Sequence, residues 1–221
     1  MMAVLKSTFL ILTALFPIVN PLGGAPIFLS LTHDYSGEER RILSRRIALN
    51  SLVLIVCSYF IGTHILAFFG ISLPVVQVGG GLVVVSTGWA MLKQKDEDNT
   101  KNEVHRSVDA HDLFARAFYP LTLPLTVGPG SISVAITLGA NEPHIDHRII
   151  FSMIGAVIGA VLIAASGYLC YAFSDHLAAA LGPTAMSVIM RLSSFLLVCI
   201  GVQIMWNGVA ALLKSLPNVL R

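Results

Sequence analysis

The sequence predicts an all-α membrane protein. Six transmembrane stretches form two inverted three-helix repeats, and the first helix of each repeat is discontinuous. Three observations predict this. The 221 residues are 55% hydrophobic and only 12% charged, with mean hydropathy +0.79; a soluble domain carries about 25% charge. The apolar residues gather in runs that reach the ~20 residues a membrane helix needs. Proline and glycine clusters inside two of these runs match each other at a fixed offset.

The first run, 4–32, is interrupted at Pro17, Pro21 and Pro26. Its start, Lys6 followed by apolar residues, has the outline of a signal peptide. No small-residue cleavage site follows, so we read it as a first span. A polar connector, 33–41, carries Asp34, Glu38 and Glu39. The second run is 42–69, a turn follows at 70–74, and the third run is 75–92. Residues 93–112 are dense in charge without helical periodicity and read as an exposed loop. The fourth run, 113–140, is interrupted at Pro120, Pro124 and Pro129, and the fifth is 149–173. Residues 174–190 mix apolar positions with Asp175, His176, Gly182 and Pro183, and leave open whether they span, re-enter or lie at the interface. The sixth run is 192–213.

The repeat is internal to the chain. At an offset of 103, Phe16-Pro17 meets Tyr119-Pro120, Pro21 meets Pro124, Pro26 meets Pro129, Ser30 meets Ser133 and Arg45 meets Arg148. Later the offset becomes 113, where Gly88 meets Gly201. The chain therefore divides into a first repeat at 1–95, a polar cytoplasmic loop at 96–112 and a second repeat at 113–221. Three spans is an odd number, so the second repeat runs inverted. Inverted repeats are characteristic of secondary transporters.

Orientation follows from the basic residues. Arg40, Arg41, Arg45, Arg46, Lys93, Lys95, Lys101, Arg106 and Arg116 fall on one side; Lys6, Arg148, Lys214 and Arg221 fall on the other. The first side is expected in the cytoplasm and both termini outside.

Proline cannot continue a helix without losing a backbone hydrogen bond. The clusters Asn20, Pro21, Gly23, Gly24, Pro26 and Pro124, Thr126, Gly128, Pro129, Gly130, Ser131 therefore predict unwound segments near the middle of their runs. Backbone left unpaired at that depth is tolerated where protein or a wet cavity surrounds it. Pro26 and Pro129 suit the first turn of a second half-helix. The N–H groups there attract a carboxylate, and carbonyls ending the preceding half-helix suit an ammonium group. A zwitterionic amino acid presents both charges. The alternative is a pair of kinked helices with no ligand. Asn20 either bonds substrate or caps a half-helix; Thr122, Thr126 and Ser131 offer hydroxyls for capping.

No Asp or Glu lies deep in any apolar run. A coupling ion, if there is one, is a proton or sodium; no other cofactor is indicated. His64, near the end of the second run, reads as interfacial, with proton relay as the alternative. Arg191 reads as snorkelling to the interface, with pairing to a substrate carboxylate as the alternative. Gly79-Gly80-Gly81 and Gly88 suit close helix packing. Cys57, Cys170 and Cys199 read as packing residues. His105, Asp109, His111 and Asp112 fit no standard metal spacing. No enzymatic signature occurs, and the dispersed charge of +2 does not suit nucleic acid. Oligomeric state is not legible.

The segments Asn20-Pro21-Leu22-Gly23-Gly24-Ala25-Pro26 and Leu123-Pro124-Leu125-Thr126-Val127-Gly128-Pro129-Gly130-Ser131 resemble the MarC family, also classed as six-span neutral amino acid transporters. The likeness continues through Phe69-Gly70-Ile71-Ser72, Gly79-Gly80-Gly81-Leu82 and Arg191 to Gln203. It implies a multi-pass protein of the bacterial inner membrane that moves small neutral amino acids such as glycine and alanine. An exporter or channel for another small solute, or a non-transporting membrane protein, is the alternative. One departure is visible: where the family often has Arg before the glycines of the third span, this chain has Gln77.

Overall fold

A computed structural model describes residues 2–93, 114–141 and 148–219. The stretch around 96–112, including the His105–Asp112 group, lies outside the described residues. Among the described residues the structure is helical, without strands. Eight helices form among the described residues: α1 (Met2–Val19), α2 (Pro21–Leu31), α3 (Gly37–Phe68), α4 (Leu73–Lys93), α5 (Ala117–Thr126), α6 (Pro129–Ala140), α7 (Arg148–Ala172) and α8 (Ser174–Val219). Five spans are long and apolar enough to cross a membrane, and the bent pair Phe114–Thr126 with Pro129–Ala140 supplies a sixth. The outer surface is apolar: Phe9 is 69% and Phe68 84% exposed. Such a surface suits lipid rather than water.

Several boundaries differ from the sequence reading. The 33–41 connector is shorter than expected, because α3 already begins at Gly37. Ser36 and Glu39 form a capping box there: Ser36 Oγ accepts from the Glu39 N–H at 3.3 Å, and Glu39 Oε2 accepts from the Ser36 N–H at 2.8 Å. Residues 174–181 form a helical turn of their own. Gly182, at φ 73°, breaks it from the sixth span, which runs Thr184–Ser215 rather than 192–213. Cys57 and Cys199 are exposed and Cys170 is half-buried, so the first two face outward rather than packing inside.

Lipid is as apolar as leucine, so helices here associate through close packing and hydrogen bonds. α4 and α8 make the most intimate pair. A Cβ on Gly81 would lie 2.6 Å from Met205 N and 2.7 Å from Gly201 O, and one on Gly88 would lie 2.9 Å from Ser194 O. On Gly208 it would lie 2.6 Å from Pro74 O. The partner number falls as the α4 number rises, so the two helices run antiparallel. α1 packs on α7, where Gly155 and Gly159 admit it and Thr8 Oγ1 donates to Gly155 O at 3.0 Å. α3 packs on α6, α2 on α8, and α6 on α4. The main apolar cluster joins Ile11, Leu15, Val19, Ile55, Val127, Ala135 and Ile163.

One end of the bundle is basic. Arg40 bonds Asp175 and donates to Thr32 O at 2.9 Å; Arg41 reaches Tyr168; Arg46 lies 4.2 Å over the Phe114 ring. These contacts gather the start of α3, the approach to α5 and the α7–α8 junction at one end.

Candidate functional site

Both predicted breaks form, but they are unequal. At the first, only Asn20 leaves the helix, in the left-handed region (φ 47°, ψ 59°), and Val4–Leu31 remains one long span. Asparagine tolerates this conformation better than most residues. Its Oδ1 accepts the Gly23 N–H at 3.1 Å, so it caps α2. Pro21 takes the first position of α2; Pro26 lies inside α2, not in its first turn. Pro21 has no N–H to give the Pro17 carbonyl. That carbonyl ends α1 without its ordinary helical donor.

The second break is severe. The two half-helices meet at 68°. Pro120 and Pro124 deny donors, and the residues before them, Tyr119 and Leu123, are extended at ψ 124°. Both X–Pro bonds are cis. Turns widen to five residues: Thr122 Oγ1 donates to Ala117 O at 2.6 Å and Thr126 Oγ1 to Leu121 O at 2.7 Å. The threonine hydroxyls thus bond carbonyls five residues back, inside the widened turns. Gly128 then caps α6 with no side-chain bond, and Pro129 occupies its first position as expected. The N–H groups of Gly130 and Ser131 sit in the first turn of α6, at the positive end of its dipole.

Between the breaks lies an open cleft. Of the predicted residues, Asn20, Gly24, Pro124, Thr126, Gly128, Pro129, Gly130 and Ser131 line it. Pro21, Gly23 and Pro26 do not; Pro21 and Gly23 are buried within the first turn of α2. No lining side chain is charged. Asn20 Nδ2 is buried without a hydrogen-bond partner among the described residues. The bond from Gly23 N–H to Oδ1 fixes which end of the amide is the donor. An unpaired buried donor is costly and calls for an acceptor.

The sequence reading missed one wall. Val83, Val84, Thr87 and Met91 of α4, with Leu197 of α8, complete the lining. The available signal was the spacing of a helical stripe, and Val84 and Leu197 are mates at the offset of 113. Below the cleft α6 is held tightly. Ser133 Oγ donates to Val76 O at 2.9 Å, and Gln77 Nε2 donates to Thr137 Oγ1 at 3.5 Å. Gln77 thus has a packing role where an Arg was noted in relatives. His64 and Arg191 are both exposed and neither lines the cleft. Among the described residues no cluster of His, Cys, Asp or Glu is placed to hold a metal.

These features define a multi-pass integral membrane protein with an uncharged cleft at two helix breaks. The MarC family of integral membrane proteins matches residues 5–213, and the chain belongs to that family. It is 31% identical to the UPF0056 inner membrane protein MarC of Salmonella typhimurium, over 97% of this chain and 99% of that one. It is 27% identical to the UPF0056 membrane protein YvbG of Bacillus subtilis, over 93% and 95%. A UPF0056 membrane protein of Methanocaldococcus jannaschii is 28% identical over 92% and 86%. No solved structure matches.

Proposed function

We propose that the chain is a secondary transporter of small neutral amino acids, glycine- or alanine-like, working by alternating access in the bacterial inner membrane. The observation that carries this is the cleft's polarity without charge. Donors come from the first turn of α6 and from the buried Asn20 Nδ2, and the Pro17 carbonyl, one residue before the lining begins at Ile18, is the acceptor we assign. A carboxylate fits the first set and an ammonium group the second. A net-neutral zwitterion needs no charged side chain. The small, largely apolar walls of Val83, Val84 and Leu197 favour a small side chain.

Alternating access rests on reading residues 1–95 and 113–221 as inverted repeats. Support comes from the antiparallel α4–α8 pair. Gly88 faces Ser194 and Val198, and its mate Gly201 faces Gly81 and Val85, which are the mates of those residues at the same offset. The reciprocal packing of α2 on α8 and α6 on α4 follows the same exchange.

Uptake of labelled glycine or alanine into proteoliposomes, with and without proton or sodium gradients, tests the reading. Saturable uptake is expected, and Asn20→Ala should lower it at least tenfold. Wild-type protein that moves neither amino acid in either direction would sink the assignment. The proposed orientation puts both termini outside. Reporter enzymes active only in the cytoplasm should be silent when fused to the C-terminus and active when inserted near residue 100.

A further inference from the structure

We propose that Tyr171 is a positioning residue that fixes the separation of the two breaks and so sets the shape of the cleft. Tyr171 lies on α7, fully buried, and does not itself line the cleft. Its ring stacks on Phe28 of α2, with centroids 4.9 Å apart and planes 7° from parallel. Its hydroxyl lies 3.1 Å from Thr126 Oγ1, the last residue of α5 before the second break. The Thr126 proton is directed at the Leu121 carbonyl, so Tyr171 is the donor to Thr126. On the other side, a Cβ on Gly24 would lie 2.6 Å from the Tyr171 oxygen. Glycine at 24 therefore makes room for this hydroxyl.

One side chain thus touches both discontinuous segments at residues that line the cleft. Gly24 belongs to the first half of the chain and Thr126 to the second. The tie occurs once: at the offset of 103 the mate of Tyr171 is Phe68, which is 84% exposed at the end of α3. A hydroxyl placed this way holds α2 and α5 at a fixed distance. Losing it leaves the ring stack intact and strands no donor, because Thr126 keeps its bond to Leu121. Tyr171→Phe is therefore a test of position rather than of folding.

The inference rests on the cleft being the transport site, so the experiment carries readouts that need no substrate. Tyr171→Phe, Gly24→Ala and the double variant are prepared as full chains. For alkylation each also carries Thr87→Cys, with the three native cysteines replaced by alanine; uptake is measured with Thr87 and the cysteines native. Alkylation of Cys at 87 reports the cleft directly, and melting in detergent reports folding. Tyr171→Phe should melt within a few degrees of the parent, change the alkylation rate at least threefold and raise KM for glycine uptake at least fivefold. Gly24→Ala should disturb both readouts more, and Tyr171→Phe in the same chain should recover most of that loss by removing the clashing oxygen. Parent-like alkylation and KM in Tyr171→Phe, or a double variant no better than Gly24→Ala, would overturn the proposal. A native chain that takes up no amino acid defeats the transport assignment, while alkylation and rescue still decide the role of Tyr171.

Discussion

Gly81→Leu should lose most of the bundle's stability, while Gly79→Leu, two residues away, should melt like the parent. The two glycines share one motif and one helix, so propensity cannot separate them. Their surroundings do. A Cβ on Gly81 would lie 2.6 Å from Met205 N and 2.7 Å from Gly201 O, whereas nothing lies within 4 Å of one on Gly79. Both neighbours of Gly81 are backbone, and neither can rotate aside. The helices must separate, and their packing is what holds them together in lipid. Overpacking ordinarily costs about 1–3 kcal/mol, and a large side chain against rigid backbone belongs at or above the upper figure. At roughly 2–4 °C per kcal/mol for a chain of this size, the melting temperature should fall by about 10 °C. The check is thermal denaturation in detergent followed by size-exclusion chromatography. Equal melting of the two variants would refute the packing argument.

Gly130→Ala should nearly abolish transport with a far smaller effect on folding. The added methyl would overlap Val84 Cγ2. Val84 can answer by swinging into the cleft, or α6 can retreat; either displaces the N–H groups of Gly130 and Ser131 from the substrate. Misplacement by about 1 Å can cost ~100-fold in rate, and that is the expected fall in initial glycine uptake. Val84→Ala in the same chain removes the overlapping methyl and should restore uptake to within about tenfold. Full activity in the single variant would show that the first turn of α6 does not bear on substrate.

Much of this molecule was legible from local chemistry. The prolines at 17, 21, 120, 124 and 129 dictate missing donors wherever they stand, and the predicted breaks form beside them. The length of apolar runs gives the spans. The glycines at 79, 80, 81 and 88 predict close approach; the last three each meet a neighbouring helix, while Gly79 meets nothing within 4 Å. What local chemistry did not give was inequality. The clusters look equivalent, yet the first is absorbed by one left-handed asparagine and the second bends by 68°. The difference comes from spacing and partners. Extended Tyr119 and Leu123 precede prolines in the second cluster, while Asn20 precedes Pro21 and recovers a bond through its own side chain. The start of α3 was legible in Ser36 and Glu39 but was masked by the density of charge around them. The α4 wall of the cleft was hidden because Val83, Val84 and Met91 read as ordinary apolar residues until a second helix pair decides which face turns inward.

Helix length gives the protein a dependence on membrane thickness. α3 has 32 residues and α4 has 21, or about 48 Å and 31 Å at 1.5 Å per residue. The hydrocarbon core is about 30 Å thick. α4 is matched to it standing upright. α3 overshoots, but its charged first turns, through Arg45 and Arg46, extend into the headgroups, and the remainder, 47–68, spans about 33 Å and matches the core as α4 does. A thicker bilayer would stretch the match at both helices, and a thinner one would lean both. Because α6 is gripped by both, thickness acts on the angle between the helices that hold the cleft. The surrounding lipid is thereby a mechanical component of the site.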